Sequence, residues 1–195
     1  MELIVISDPE SFANEASTIN RLFEAGMTRF HLRKPNWSGN QCINLLRDID
    51  QVFHSNIALH QYHFLINEIN TKRLHYTEKH RLSTNKEEID HQKQKGCICS
   101  TAVHQLKEIS LLTDFDYVFF SPVFNSISKP GYQSKLDKDF ILDKVNPAPA
   151  IIALGGIDEN NLFKIRQMQF NGAAVLGAIW KKPEQAVSIF KKLNE

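Results

Sequence analysis

The sequence lacks an excess of charge, a disulfide framework and any apolar run of membrane length. Its 23 Lys and Arg residues nearly balance 22 Asp and Glu, and the net charge of +1 argues against nucleic acid as the main partner. No apolar run approaches the roughly 18 residues that cross a bilayer, and Asp8 and Pro9 interrupt the first run too early for a signal peptide. With an odd count of three cysteines, these absences predict a cytoplasmic protein with reduced thiols and no membrane partner.

The composition is that of an ordinary globular chain. Hydrophobic residues make up 42% and charged residues 23%, which excludes disordered and fibrous proteins. A length of 195 residues is enough for one domain and marginal for two. Because no linker, low-complexity segment or charge block marks an internal boundary, we predict a single domain over residues 1–195.

Eight short apolar runs recur along the chain, with amphipathic stretches between them. Runs this short that are apolar on both faces are typical of buried parallel strands. The predicted strands cover residues 3–6, 30–32, 57–59, 73–75, 97–99, 117–120, 151–154 and 173–176. The predicted helices cover residues 10–25, 40–53, 65–69, 87–95, 159–168 and 183–193.

This alternation predicts an α/β fold with a single (β/α)₈ TIM barrel. The alternative is a doubly wound open sheet, which would usually show a glycine-rich loop after its first strand. Here the first run ends in Ser7-Asp8-Pro9-Glu10, without a glycine. The sequence therefore favours the barrel, whose active site would lie at the carboxyl ends of the strands.

Glycines follow the last two predicted strands. Gly155 and Gly156 follow the seventh and Gly177 follows the eighth. Backbone N–H groups at such positions can approach an anion, and a following helix N-terminus adds a favourable dipole. We predict a phosphate site there, although Gly155-Gly156 alone would also suit a tight turn.

A polar segment at 121–132 follows the sixth predicted strand. It contains Ser126, Ser128 and Lys129 close to a glycine. A loop of this kind can fold over a ligand and bind a phosphate, whereas the simpler alternative is a solvent-exposed loop.

Together these stretches resemble the thiamine phosphate synthase/TenI family. The likeness rests on four motifs that occur in the family's order over nearly the whole chain. His31-Leu32-Arg33-Lys34 is similar to the family's Q-L-R-E-K, residues 102–104 to S-x-H, residues 121–129 to G-P-x-F-x-T-x-T-K, and residues 153–157 to A-x-G-G-I. Arg33 and Lys129 keep their places, while His31 replaces the Gln.

The departures from the family pattern concern its metal. The resemblance implies that synthase members hold a Mg²⁺–diphosphate through two aspartates, whose places here are taken by Gln61 and His80. Mg²⁺ prefers carboxylate oxygens, and Glu78 is the neighbouring residue that could substitute. We therefore predict no metal ligands and no firm cofactor, with Mg²⁺ needed only if the chain is an active synthase.

The resemblance then favours a metal-free TenI-type reaction, in which a thiazole phosphate carboxylate is isomerised to its aromatic tautomer. That reaction needs a phosphate site and a proton shuttle, and an imidazole with a pKa near 6.5 suits the shuttle. The implied catalytic residues are His104, Arg33 and Lys129. The other implied substrate contacts are Ser126, Ser128, Lys34, His31, His60, Gln61 and His80, with the three glycines.

Several alternatives stay open at this point. The chain could be a thiamine phosphate synthase that couples hydroxymethylpyrimidine diphosphate to thiazole phosphate, or a non-catalytic regulatory protein that binds a phosphate ligand. A sugar-phosphate isomerase would need a carboxylate base at a strand end, where only Asp8 qualifies clearly. A homo-oligomer is also open.

The remaining histidines raise the question of zinc. His60, His75 and His80 would converge at neighbouring strand ends, but their spacing follows barrel geometry and no acidic fourth ligand supports a zinc site. Structural or substrate-contacting roles are favoured for them. His54 and His63, in helix or loop contexts, are expected at the surface.

Overall fold

The fold is a closed barrel of eight parallel strands in chain order, as predicted. It is seen in a computed structural model that describes residues 1–125, 134, 136–137, 139–143 and 149–195. The first and last strands pair with each other, from Glu2 opposite Gly172 to Val5 opposite Val175, and this pairing closes the barrel. The strands are β1 (Glu2–Ile6), β2 (Phe30–Leu32), β3 (Ile57–Leu59), β4 (Arg73–Tyr76), β5 (Ile98–Val103), β6 (Tyr117–Phe120), β7 (Ala150–Leu154) and β8 (Gly172–Val175).

Side chains on each strand alternate between two buried layers. On β1, Leu3 and Val5 belong to the layer between barrel and helices, whereas Ile4 and Ile6 belong to the barrel interior. Because both faces of the strand are buried, the runs are apolar throughout and do not alternate with polar residues. Polar side chains on β2, β4, β5 and β6 also point into the interior. These side chains form the floor of the site described below.

The helices are shorter than the apolar periodicity predicted. They are α1 (Glu15–Glu24), α2 (Gly39–Asp48), α3 (Glu78–Ser83), α4 (Lys86–Gln94), α5 (Leu162–Gln167), α6 (Gly177–Trp180) and α7 (Ala186–Asn194). The predicted segments 40–53 and 183–193 each divide into a helix and a 3₁₀ turn, and 65–69 corresponds to the 3₁₀ turn His63–Asn67. No helix in the described ranges is long and apolar enough to cross a lipid bilayer.

Local contacts explain where two of these helices begin. α1 starts five residues later than predicted because Asn14, just before it, has a left-handed backbone with φ of 62°. α2 starts at a capping box in which Ser38 Oγ accepts from Gln41 N, while the Gln41 side chain accepts from Ser38 N.

A side-chain hydrogen bond ties the last part of the barrel to the first strand. The indole Nε1 of Trp180, at the end of α6, donates to the carbonyl of Ile6 at 2.6 Å. Trp180 is buried, and its ring lies 5.4 Å from that of Phe12. This contact holds the short helix that follows Gly177 against the carboxyl end of β1.

Candidate active site

A cavity of about 410 Å³ opens at the carboxyl ends of the strands, where the barrel fold predicts an active site. Its wall includes Arg33 after β2, His104 after β5 and the glycines after β7 and β8. His60 and His75 line it from the barrel interior. The sequence therefore located the cavity, and six of the ten predicted residues that the structure describes line it.

The Gly155-Gly156 turn is held rigidly by its neighbours. Both glycines have positive φ, 99° and 66°, and a Cβ added to Gly156 would lie 2.6 Å from the carbonyl oxygen of Asn125. Val123 N and Phe124 N donate to the carbonyls of Leu154 and Gly155. Within the described residues, no acceptor is bonded to the N–H of Gly155 or Gly156, so both can bind an anion.

Gly177 differs from those two glycines because it has open space beside it. Nothing lies within 4 Å of a Cβ added there, and the residue lines the cavity. Gly177 is also the first residue of α6, as the prediction of a helix N-terminus requires. The same prediction is wrong for Gly155-Gly156, because the next helix, α5, begins only at Leu162.

His104 has a defined tautomer. Its Nδ1 lies 2.8 Å from the carbonyl oxygen of Ser121, and a carbonyl can only accept, so Nδ1 carries the hydrogen. In the neutral ring the lone pair is therefore on Nε2, which lies 4.0 Å from Glu78 Oε2. Both side chains line the cavity and are partly exposed, which leaves the pair accessible to a small molecule.

Arg33 is positioned through its backbone. Ser7 Oγ accepts from Arg33 N at 2.8 Å and donates to Arg33 O at 3.0 Å. Ser7 is fully buried at the end of β1, so these two bonds fix the residue that follows β2. Arg33 lines the cavity together with the glycines and brings a cationic side chain to it.

The prediction that Lys34 binds the substrate is wrong. Its side chain is fully buried and points away from the cavity toward α1. Nζ donates to Glu15 Oε1 at 2.6 Å and to Glu10 O at 2.7 Å, and lies 4.4 Å from the ring centre of Trp37. The charge of Lys34 is thereby paired inside the protein. Burial raises the pKa of the Glu15 carboxyl, while Lys34 opposes that rise.

Gln61, His80 and His31 also do not line the cavity. Gln61 Oε1 accepts from Lys34 N, and the His80 ring packs beside those of His63 and Tyr76. His31 lies deeper, fully buried in the barrel interior. The amide oxygen of Gln61 is already hydrogen-bonded, and the imidazole of His80 packs among other rings. These two residues therefore do not fit the Mg²⁺–diphosphate site of the synthases.

His31, His60 and His75 meet at the floor of the cavity. The sequence predicted that His60 and His75 would converge with His80, and did not predict His31. His31 Nδ1 is 2.9 Å from His60 Nε2, and the rings of His60 and His75 stack with centroids 4.0 Å apart. His31 Nε2 is 2.8 Å from Tyr117 Oη, and His75 Nδ1 is 2.9 Å from Ser100 Oγ. We call these three residues the histidine cluster.

The histidine cluster is electrically neutral near neutral pH. Burial lowers the pKa of His31 and His60 well below the usual value, and it lowers the pKa of His75 to about 3. Neighbouring cations add to this effect, among them Arg33 near His60 and His75.

Two other histidines are not at the surface as expected. His54 is buried, and its Nε2 donates to the carbonyls of Leu46 and Ile49 at 2.9 and 3.0 Å. His63 is half-buried, and burial lowers its pKa to about 4. Both errors have the same cause. A polar stretch of sequence predicts a solvent-exposed histidine, but backbone carbonyls can accept the hydrogen bond of a buried ring as water would.

Some cavity residues were missed or cannot be placed. Asp158 and Lys181 also line the cavity, and the sequence analysis did not predict them. Lys181 directly follows α6, a helix that the sequence did not predict. Glu78, considered only as a replacement metal ligand, lies beside His104. The predicted residues Ser126, Ser128 and Lys129 fall outside the described residues.

The chain matches a protein family over most of its length. Residues 3–179 match the family described as thiamine monophosphate synthase, TMP-TENI. The chain belongs to this family. A thiamine-phosphate synthase from Lysinibacillus sphaericus is 34% identical over 112 residues, which cover 54% of this chain and about half, 53%, of that protein.

Solved structures of the family have the same fold. The thiamine phosphate pyrophosphorylase of Bacteroides thetaiotaomicron superimposes with a TM-score of 0.77 and 26% identity, over 100% of this chain and 96% of that one. The thiamine phosphate pyrophosphorylase of Pyrococcus furiosus gives a TM-score of 0.74 at 16% identity, over 99% and 93% of the two chains. At the latter identity the likeness concerns the barrel alone.

Proposed function

We propose that this chain is an enzyme of thiamine biosynthesis that binds a thiazole phosphate and transfers a proton within it to give the aromatic ring. The observation that supports the proposal is that His104 lines the same cavity as Gly155, Gly156 and Gly177. A phosphate bound at the glycines would leave the rest of the ligand facing the imidazole. A regulatory binder would need the glycines but would have no use for a defined histidine tautomer.

The proposed reaction is the TenI-type tautomerisation of a thiazole phosphate carboxylate. His104 Nε2 takes a proton from a ring carbon of the substrate, and the resulting imidazolium returns a proton to the exocyclic carbon whose double bond moves into the ring, so the composition of the substrate does not change. Ser121 O holds Nδ1–H throughout, and Glu78 stabilises the imidazolium across 4.0 Å. Arg33 and the glycine N–H groups hold the anionic groups of the substrate.

The second candidate is thiamine phosphate synthase, which the names of the relatives favour. That reaction expels pyrophosphate, and Mg²⁺ stabilises the departing charge in members that use it. Gln61 and His80 do not offer the oxygen ligands this ion prefers, so we rank the synthase second. For both the tautomerase and the synthase we propose a thiazole phosphate as the small-molecule partner. We also propose that the protein is cytoplasmic.

Parallel assays separate these functions. The purified chain is given the thiazole tautomerisation substrate alone, and separately both synthase substrates with Mg²⁺. We expect tautomerisation, with a loss of about 100-fold or more in kcat for His104→Gln. His91→Asn, at an exposed helix residue, is the matched control and should keep full activity.

Each contrary result points to a different function. Thiamine phosphate formation at roughly 1 s⁻¹ or faster would overturn the tautomerase and favour the synthase. Binding of thiazole phosphate without either turnover would instead identify a non-catalytic binding protein.

A further inference from the structure

We propose that the histidine cluster is a binding site for one divalent transition-metal ion, with zinc the favoured ion. His31, His60 and His75 each offer one ring nitrogen, and the three atoms lie within 4.8 Å of one another. All three side chains are buried in the barrel interior, under the cavity. This proposal is independent of the proposed reaction at His104.

The hydrogen bonds of two of the rings allow a lone pair on the nitrogen that does not contact Ser100 or Tyr117. Ser100 Oγ can accept from His75 Nδ1 while it donates to Leu74 O, and this arrangement puts the lone pair of His75 on Nε2. Tyr117 Oη can accept from His31 Nε2, which puts the lone pair of His31 on Nδ1. Metal-binding histidines typically donate their other N–H to such a partner, which fixes tautomer and ring orientation.

Hydrogen bonding alone leaves the cluster incompletely satisfied. His31 Nδ1 and His60 Nε2 share one hydrogen bond. Whichever tautomers the two rings adopt, one of these nitrogens carries the hydrogen and the other accepts it. The remaining nitrogen of His60, Nδ1, is buried without a hydrogen-bond partner among the described residues. A cation at the centre would use the lone pairs of all three rings, where the contact between His31 and His60 uses one, and His60 Nδ1 would have no partner in either state.

The distances between the ring nitrogens set how far the three rings have to shift to bind a metal ion. Ligands about 2.0–2.1 Å from tetrahedral zinc lie about 3.3 Å apart, so the 2.9 Å contact has to open slightly and the wider ones have to close.

The fourth coordination position would face the cavity, because His60 and His75 line it. Three imidazoles bring no negative charge, so a hydroxide or a carboxylate entering from the cavity would balance the ion. Imidazole ligands suit zinc, copper, iron and nickel, whereas Mg²⁺ prefers oxygen. The site is therefore distinct in chemistry from a Mg²⁺–diphosphate site.

The test is a metal titration of the full chain, purified without a histidine tag and stripped with a chelator. Zn²⁺ is measured by competition with a chromophoric chelator, and Co²⁺ by its visible absorption. We expect one ion per chain, the intense Co²⁺ spectrum of a four-coordinate site, and affinity weakened about 100-fold or more in His60→Asn. The control His91→Asn should bind as the unchanged chain does.

The outcomes are decisive even if the variants fail to fold. Absence of stoichiometric Zn²⁺ binding by the unchanged chain would overturn the proposal, as would unchanged binding in both His60→Asn and His75→Gln. If neither variant folds, the ring ¹⁵N resonances of the unchanged chain decide, since Zn²⁺ should shift three histidines and leave His91 in place. The zinc proposal and the proposed reaction fail independently: a chain that does not bind zinc can still show His104-dependent tautomerisation in the activity assay.

Discussion

At the residue scale, the environment of a charged side chain decides its role. The ammonium of Lys34 and the carboxylate of Glu15 form an ion pair that water does not reach, with side chains 0% and 4% exposed. Arg47 and Glu68 also form an ion pair, but their side chains are 62% and 48% exposed. A buried charge that loses its partner remains desolvated, whereas an exposed one is rehydrated.

We therefore expect Lys34→Met to lower the free energy of unfolding by about 3–5 kcal/mol, because Glu15 would be left buried and unpaired. The matched change Arg47→Met should cost less than about 1 kcal/mol. The double variant Lys34→Met/Glu15→Leu should recover much of the loss. Urea unfolding measures all three; unchanged stability of Lys34→Met with weakened substrate binding would return Lys34 to the site.

At the element scale, the glycines of β8 and α6 have opposite surroundings. A Cβ on Gly172 would lie 2.8 Å from the carbonyl oxygen of Glu2 on the neighbouring strand, and 2.8 Å from Ile152 Cδ1. A Cβ on Gly177 meets nothing within 4 Å, and it would project into the space that we propose for the phosphate. One glycine therefore serves the packing of the barrel and the other serves the cavity.

Gly177→Val should weaken binding of thiazole phosphate by about 100-fold or more while changing the unfolding free energy by less than about 1 kcal/mol. Gly172→Ala is the contrasting variant and should destabilise the fold, because the backbone of β1 would have to move. Calorimetric titration and urea unfolding of both proteins measure the two effects. Normal ligand affinity in Gly177→Val would place the phosphate elsewhere.

The strands were far more predictable than the helices for a physical reason. A strand buried on both faces must be apolar at nearly every position, so each run identified its strand to within a few residues. The helices are short, and their ends depend on local features such as the left-handed Asn14 and the cap at Ser38. A four-residue helix such as α6 has too little periodicity to be seen in the sequence.

The same contrast applies to the site. Gly155, Gly156, Gly177, Arg33 and His104 were found because strand ends converge in a barrel and because their motifs have an order. Lys34 was misplaced because the side chain after a strand can point either to the cavity or to the surrounding helices. The direction depends on a partner such as Glu15, which lies on another element.

At the scale of the whole molecule, the histidine cluster makes stability depend on pH. In the unfolded chain these rings titrate near pH 6.5, whereas burial keeps them neutral in the fold, with the pKa of His75 at about 3. Below pH 6.5 the unfolded chain therefore binds more protons than the folded one. The stability present above pH 6.5 is lost as the pH falls toward the folded pKa values.

Each of the three histidines should contribute a slope of about 1.4 kcal/mol per pH unit below pH 6. Urea unfolding between about pH 7 and pH 5, with a chelator present, measures the sum of these slopes and that of His63, whose pKa is lowered to about 4. His75→Gln should reduce the slope by the share of one histidine, and His91→Asn should not change it. A stability that stays flat over this range would mean that the rings are protonated inside the fold.

The hydrogen bond from Trp180 to Ile6 has an optical consequence. The chain has two tryptophans, Trp37 beside Lys34 and Trp180 at the end of the helix that begins at Gly177. With Trp37→Phe, the remaining indole emission comes from a buried fluorophore within four residues of the proposed phosphate contact. Thiazole phosphate should change the intensity or wavelength of that emission in a saturable way, and the added change Gly177→Val should abolish the response.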